Sequence, residues 1–236
     1  MFTKSLVFGA LLLAASASQA KSNILAVSGT IGVTACTLSL SGGGVANFGA
    51  LTAHDVQTAP VTDDLGVSRY VVGITKTVTM TVLCPTAAKV ALSFVDNRAT
   101  SASPSAAVNI YRLGLGTYTV PGGVAANIGS YYLYAPTINV KATAAAVAAA
   151  PASRLYTAGA ASSTSIWHKA ADSETNYIAV GNSLGFATTA TSTTPDSLVS
   201  IVGDLDMRIE LLTATVNSAT TTITLDGSTT VTLVTL

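Results

Sequence analysis

The sequence feature that most restricts the possible folds of this chain is an alternation of apolar residues and threonines between residues 69 and 84. The apolar residues largely share one parity and threonines occupy the other: Val72, Ile74, Val78, Met80 and Val82 against Thr75, Thr77, Thr79 and Thr81. Successive side chains of a strand point to opposite faces, so the pattern predicts a long β-strand with one buried face. Residues 89–96 follow Pro85 after a short predicted turn, and we expect them to form its antiparallel neighbour.

Shorter strand-like segments fill most of the remaining chain, and turns rich in Gly, Pro and Asp separate them. The clearest are residues 110–118, 128–140, 177–186 and 198–213. The alanine-rich residues 141–161 fit either a short surface helix or a mobile loop, because they carry little apolar mass to pack. About eight to ten strands at this spacing predict a single all-β domain built as an antiparallel sandwich.

The first twenty residues are typical of a secretory signal peptide. Lys4 supplies the positive start, residues 6–15 form a short apolar run, and Ser18-Gln19-Ala20 resembles a cleavage site. The apolar run is too short to span a bilayer, so we expect a cleaved leader and no membrane span.

The chain contains two cysteines, Cys36 and Cys84. Because the leader directs the protein to an oxidising compartment, a single disulfide is the expected state. It would close a loop of about fifty residues and stabilise the fold by about 4 kcal/mol through the entropy of the unfolded chain.

A second alternating segment spans residues 25–36, directly behind the leader. Its apolar parity consists of Leu25, Val27, Ile31, Val33 and Ala35, with Gly29 as the one gap. A strand so close to a new N-terminus can pair inside its own domain, or it can complete the sheet of another molecule. The sequence pattern leaves both alternatives open.

The charge composition argues against nucleic acid as a partner. Charged residues make up 9% of the chain, and its 11 basic residues balance its 11 acidic ones. This composition offers no basic surface of the kind that binds nucleic acid.

Signatures of catalysis are sparse. His54 and His168 could each act as a base, but His54 falls in a predicted loop and His168 stands beside the sole tryptophan. Asp204, Asp206 and Glu210 share parity and could bind calcium, although alternating charges more often mark the solvent face of a strand. We expect no enzymatic activity, no resident metal and no cofactor.

Several motifs occur in a characteristic order: G-T-I-G-V-T-A-C, then T-L-S-L-S-G-G-G-V-A-N-F-G, a long strand ending at Cys84, V-D-N-R-A, R-L-G-L-G and N-I-G-S-Y-Y-L. With these motifs the chain resembles the fimbrial-like proteins grouped as domain of unknown function 1120. More broadly, it is similar to structural subunits of chaperone–usher pili. The Cys36 region and Asp96-Asn97-Arg98 are the most specific parts of the resemblance, which extends over nearly the whole chain after the leader.

The resemblance implies an immunoglobulin-like, pilin-type β-sandwich that lacks its last strand. A periplasmic chaperone fills the resulting groove first, and the N-terminal extension of the next subunit fills it later. Residues 21–35 would then be this donor strand, and residues 36–236 the sandwich domain. The residues entering the groove would be Leu25, Val27, Ile31 and Val33, with Gly29 where the groove is tight. Cys36 and Cys84 would match the family's disulfide.

The resemblance also assigns the chaperone contact to the C-terminal strand, with Leu236 as its carboxylate anchor. The residues of that strand facing the chaperone would be Ile223, Leu225, Val231, Leu233 and Leu236. Two positions depart from the family pattern: Thr235 stands where an aromatic residue is common, and Gly227 lies closer to the end than the usual glycine.

The function implied is that of a structural subunit of a bacterial fimbria that polymerises by donor-strand exchange and supports adhesion. Its partners would be the periplasmic chaperone, an outer-membrane usher and other pilin subunits, in a homopolymer or a mixed fibre. The chain would cross the inner membrane, pass through the periplasm and end on the cell surface.

A secreted or periplasmic carbohydrate-binding module that does not polymerise is the alternative. Tyr131, Tyr132, Tyr134 and Trp167 could form a surface on which sugar rings stack, although core packing accounts for such residues more often.

Overall fold

The computed structural model describes residues 35–51, 55–56, 59–63, 66–103, 109–146, 148–169 and 177–236. They belong to a compact unit, Thr34–Leu236, that is built mainly from β-strands. The strands are β1 (Thr37–Leu40), β2 (Val61–Thr62), β3 (Ser68–Val71), β4 (Lys76–Asp96), β5 (Leu113–Gly114), β6 (Thr117–Thr119), β7 (Ala125–Asn127), β8 (Gly129–Tyr134), β9 (Ile138–Lys141), β10 (Ala150–Pro151), β11 (Ser153–Ala158), β12 (His168–Lys169), β13 (Asn182–Ala187), β14 (Ser197–Leu212) and β15 (Thr229–Thr235). A short helix, α1 (Thr213–Ser218), follows β14.

Two antiparallel sheets share the long strand β4. In the first sheet, the first part of β4 pairs with β1 and β14, and β14 also pairs with β3, β8 and β9. In the second sheet, residues 90–96 of β4 pair with β15, and residues 91–93 pair with β13. Strands β11 and β12 continue this second sheet beyond β13. The all-β antiparallel sandwich expected from the sequence is therefore present.

The expected turn at Pro85 is wrong, because β4 continues through it. Residues 89–96 extend the same strand into the second sheet and do not fold back as its antiparallel neighbour. Proline lacks a backbone N–H and is tolerated in strands only where no ladder bond is required. That condition holds here: β14 pairs Ser200 with Leu83 and Leu198 with Ala88, so Pro85 falls in an irregularity of the ladder. The strand changes sheets at this irregularity.

The core lies between the two sheets. In both halves of β4, the side chains that point into the core belong to even-numbered residues. The alternation of buried and exposed residues thus keeps the same parity on both sides of Pro85. Residues with almost no exposed surface come from both layers and include Met80, Val82, Leu92, Phe94, Leu184, Phe186, Ile201 and Ile209. A smaller cluster of Ala91, Leu155, Ala161, Trp167 and Ala187 fills the far side of the second sheet.

Several further segments differ from the sequence expectations. The predicted strand at residues 69–84 is divided into β3 and β4, and the one at residues 110–118 into β5 and β6. Of the predicted strand at residues 177–186, β13 covers only the part from residue 182.

Residues 141–161 form neither a helix nor a long loop, because β10 and β11 lie within them and pair with β9 and β13. The predicted strand at residues 128–140 divides into β8 and β9 around Pro136. Cross-strand pairing thus outweighs the intrinsic helix propensity of alanine. Within the described part of the chain, no helix is long and apolar enough to cross a membrane.

The disulfide between Cys36 and Cys84 is confirmed. Cys36 directly precedes β1, and Cys84 lies next to Leu83, which pairs with Thr37. The bond therefore fastens the beginning of β1 to β4 close to where β4 changes sheets.

Removing the disulfide should lower the stability of the folded chain without changing its fold. Because the two cysteines are 48 residues apart, replacing both by serine should reduce the free energy of unfolding by about 4 kcal/mol. Urea unfolding of the double variant and of the oxidised parent, followed by circular dichroism, measures this difference. A loss below about 1 kcal/mol would show that the β1–β4 ladder alone restrains this segment.

Candidate functional site

A large groove opens into the sandwich beside β15. Its volume is about 1360 Å³. Inward side chains of the first sheet form part of its lining: Val78 from β4, Tyr131 and Leu133 from β8, and Leu205, Met207, Ile209 and Leu211 from β14. Most of the remaining lining comes from the loop after β1, from α1 and the segment between α1 and β15, and from Thr229 and Val231 on β15. The side chains of the first sheet in this lining also belong to the core, and all but the partly buried Met207 are at most 6% exposed.

Strand β15 has one ladder partner within the described residues, which is β4. No described strand pairs with the N–H and C=O groups of its other edge. None of its seven residues is buried, although Val231 and Leu233 pack against the core. By contrast, Val90, Leu92 and Phe94 on the adjacent β4 are at most 1% exposed. The inward residues of β15 are therefore less well covered than those of the adjacent β4.

The segments on either side of the groove are extended but poorly paired. Residues 222–225 make no hydrogen bond within the described part of the chain, and Asp226 N–H donates to Leu115 C=O at 2.9 Å. The loop 45–51 lacks strand pairing as well. Unsatisfied backbone groups beside an apolar groove are the features that bind an added β-strand.

Gly227 determines the shape of the groove at one point. A Cβ atom on this residue would lie 2.8 Å from Cε1 of Tyr131, which is closer than van der Waals contact allows. The ring cannot move freely, because the Tyr131 hydroxyl is hydrogen-bonded to the Thr229 hydroxyl at 2.5 Å. Burial raises the pKa of Tyr131 well above its usual value, so the phenol stays neutral at physiological pH.

The arrangement is suited to binding an extended peptide rather than to chemistry. An apolar floor accepts alternate side chains of a strand, and the edge of β15 supplies backbone donors and acceptors. Because about half of the lining residues are Leu, Ile, Val or Met, the burial of apolar side chains would contribute much of the binding energy.

The structure distributes the predicted C-terminal residues over three environments. Val231 and Leu233 lie on β15 with the same parity and are partly buried. Ile223 and Leu225 precede the strand, in the extended segment that lines the groove. Leu236 follows the strand, donates its N–H to Lys89 C=O at 2.9 Å, and packs against the smaller core cluster.

The predicted donor residues Leu25, Val27, Gly29, Ile31 and Val33 lie outside the described residues, and so does His54. The resemblance to pilus subunits implied a groove, but the residues themselves do not show one. The spacing of Ile223, Leu225, Val231 and Leu233 shows apolar side chains but not that their surroundings are incomplete.

The residues considered for chemistry are dispersed or already engaged. His168 is exposed on β12. Thr77 and Thr79 donate hydrogen bonds to Asp206 and Asp204 at 2.6 and 2.9 Å, respectively. Among the described residues, no group of three His, Cys, Asp or Glu side chains could hold a metal ion.

The residues considered for sugar stacking fall into two groups. Tyr131 and Trp167 are buried in the two cores and are not available to a ligand. Tyr132 and Tyr134 face away from the groove on the other side of β8 and remain partly exposed. The four residues therefore do not form one surface.

A protein-family model described as "Protein of unknown function (DUF1120)" matches residues 25–130. This segment is slightly less than half of the chain, and it runs from the predicted N-terminal strand to the beginning of β8. The match supports the resemblance to that family drawn from the sequence. No curated protein and no solved structure matches the chain.

Substitution of Gly227 by alanine should destabilise the fold by about 1–3 kcal/mol, because the added methyl group overlaps the Tyr131 ring. Gly73 provides a matched control: its nearest neighbour would lie 4.0 Å from an added Cβ, and neither glycine has a positive φ. We expect Gly73→Ala to leave stability unchanged or raise it by up to about 1 kcal/mol. Urea unfolding of both variants measures the effect, and equal stabilities would mean that Tyr131 moves aside.

Proposed function

We propose that this chain is a structural subunit of a bacterial surface fimbria that polymerises by donor-strand exchange. The observation that carries the proposal is the apolar groove beside the unpaired edge of β15. An isolated subunit with such an edge is prone to association, and a donated strand removes this liability.

The chain also carries a segment with the pattern that such a groove requires. Leu25, Val27, Ile31 and Val33 share one parity, and residues 26, 28, 30 and 32 between them are small. In the proposed fibre, this parity enters the groove of the neighbouring subunit while the other parity faces solvent. The family match begins at residue 25, so it includes this segment.

The partners follow from the exposed groove. Before assembly, a periplasmic chaperone covers the groove and contacts β15 and the residues around it. An outer-membrane usher then exchanges the chaperone for another pilin subunit. The signal peptide at residues 1–20 accounts for export across the inner membrane, and the assembled fibre stands on the cell surface and supports adhesion.

The role of residues 25–33 as donor strand can be tested by two substitutions, one on the apolar parity and one on the polar parity. Ile31→Asp places a charge among the apolar residues and should prevent polymerisation, because a buried unpaired carboxylate is strongly unfavourable. Thr30→Asp adds the same charge on the polar parity and should leave polymerisation intact. The measurement is electrophoresis, with and without boiling, of surface-sheared protein from cells that also express the chaperone and usher.

The parent and Thr30→Asp should give a heat-sensitive ladder at multiples of the subunit mass, whereas Ile31→Asp should give subunits alone. Deletion of residues 22–33 should also abolish the ladder while leaving a chaperone-bound subunit in the periplasm. A ladder from the deleted chain would overturn strand donation by this segment. A soluble parent monomer without any ladder would overturn the fimbrial function as a whole.

The role of the groove in accepting a strand can be tested separately by substitutions on β15. Val231 lines the groove and is partly buried, whereas its neighbour Thr232 is exposed. Val231→Glu should therefore block incorporation of the subunit, and Thr232→Glu should not. Circular dichroism of the chaperone-bound variants shows whether each is folded.

A further inference from the structure

Four tyrosine rings form a partly exposed cluster on the face of the first sheet opposite the groove. Tyr132 and Tyr134 project from β8 on the side away from Tyr131 and Leu133, which line the groove. Tyr177 joins them through an isolated bridge to Tyr134, and Tyr111 contacts Tyr177 from the neighbouring segment. This cluster of Tyr111, Tyr132, Tyr134 and Tyr177 is called the tyrosine face below.

The rings of the tyrosine face are closely spaced and tilted against each other. The ring centroids of Tyr134 and Tyr177 are 4.4 Å apart, and those of Tyr132 and Tyr177 are 5.7 Å apart. The hydroxyl of Tyr134 donates to that of Tyr177 at 3.2 Å. Burial raises the pKa of Tyr132 to about 12, so its phenol remains a neutral hydrogen-bonding group at physiological pH. The cluster thus combines apolar ring surface with fixed polar groups.

Two arginines already lie against these rings. The guanidinium carbon of Arg112 is 5.4 Å from the centroid of the Tyr132 ring, and that of Arg208 is 4.9 Å from the centroid of Tyr134. Their positive charges occupy positions that a cationic ligand would need, so the tyrosine face disfavours ammonium ligands.

The two arginines differ in how far their charge is neutralised. Arg112 is buried and pairs with Glu210 at 3.2 Å, while Arg69 pairs with Asp63 in the same cluster. Arg208 is exposed and forms no ion pair with any carboxylate in the described part of the chain. The nearest acidic positions on its own strand are engaged elsewhere, because Asp206 accepts a hydrogen bond from Thr77 and Glu210 binds Arg112. Arg208 is therefore a positive charge available at the margin of an aromatic surface.

We propose that the tyrosine face binds an acidic saccharide: the exposed Arg208 side chain turns from the Tyr134 ring to pair with the ligand's carboxylate, and a pyranose ring stacks on the face of Tyr134 that the guanidinium leaves. Tyrosine rings offer an apolar surface with a polar tip, which suits a sugar ring that has one apolar face and a hydroxyl rim. A guanidinium is the side chain best suited to a carboxylate, because it can donate two parallel hydrogen bonds. Chains that present uronic or sialic acids have both features.

The proposed site is independent of polymerisation. Successive residues of β8 serve the two faces, so the groove and the tyrosine face lie on opposite sides of one sheet. A subunit could therefore bind a saccharide while its groove is filled, and each subunit of a fibre would add one such site. Multiple weak sites on one fibre raise the avidity for a polymeric glycan.

The test compares two substitutions that each remove one positive charge from the outward face of the first sheet. Arg208→Gln removes the proposed carboxylate partner, and Lys141→Gln on β9 is the matched control away from the tyrosines. Isothermal titration calorimetry of the exported full chain uses three probes: oligomers of N-acetylneuraminic acid, glucuronate-containing oligosaccharides and uncharged cello-oligosaccharides. Circular dichroism verifies that both variants are folded.

We expect the parent and Lys141→Gln to bind at least one acidic probe more tightly than the uncharged probe, and Arg208→Gln to bind it about tenfold more weakly. Tyr134→Leu, which keeps an apolar side chain without the ring, should weaken binding of the same probe to a similar extent. Lack of binding to both acidic probes would overturn the proposal. Equal affinity of the parent and Arg208→Gln, or equal affinity for acidic and uncharged probes, would do so too.

Discussion

The pairing of β4 in both sheets is the constraint on which the rest of the structure depends. Its first half carries β1 and β14, and its second half carries β13 and β15. Because the strand is continuous through Pro85, the two layers cannot separate without breaking its ladders. The disulfide at Cys84 fastens β1 to the same point. On the side of β15, however, no described strand continues the second sheet, and the inward residues of that strand remain partly exposed.

Local patterns predicted the strands whose two faces differ in polarity. The alternation of valine and threonine at residues 69–84 identified β3 and the first part of β4, although as one strand, and the pattern at residues 198–213 identified β14 to within a residue at each end. The pattern failed where tertiary pairing overrides local preference. Pro85 usually ends a strand, but here it lies in a gap of the ladder. The residue pattern alone does not show the groove, which only the resemblance implied, since Val231 and Leu233 show the same alternation whether or not a strand covers them.

The outward face of the first sheet is organised by charge instead of by apolar packing. Arg69 and Arg112 are nearly buried and share the carboxylates of Asp63 and Glu210, with distances from 2.5 to 3.8 Å. Removing one partner from such a cluster leaves an uncompensated charge, which costs about 3–5 kcal/mol, so the cluster holds its members in place. Arg112 in turn lies against Tyr132. The charged cluster therefore lies against one side of the tyrosine face and holds the Tyr132 ring in place.

The free energies of the individual contacts indicate why the parity of a donated strand would matter more than its length. Each backbone hydrogen bond added along β15 contributes about 0.5–1.5 kcal/mol net, and any extended sequence can form it. Each Leu, Val or Ile side chain that fills the groove contributes about 1.5–3 kcal/mol and requires the correct register. A slip by one residue keeps the hydrogen bonds but turns every apolar side chain to solvent. In the proposed exchange, the alternation at residues 25–33 therefore selects the register, while the open edge of β15 supplies attraction without selectivity.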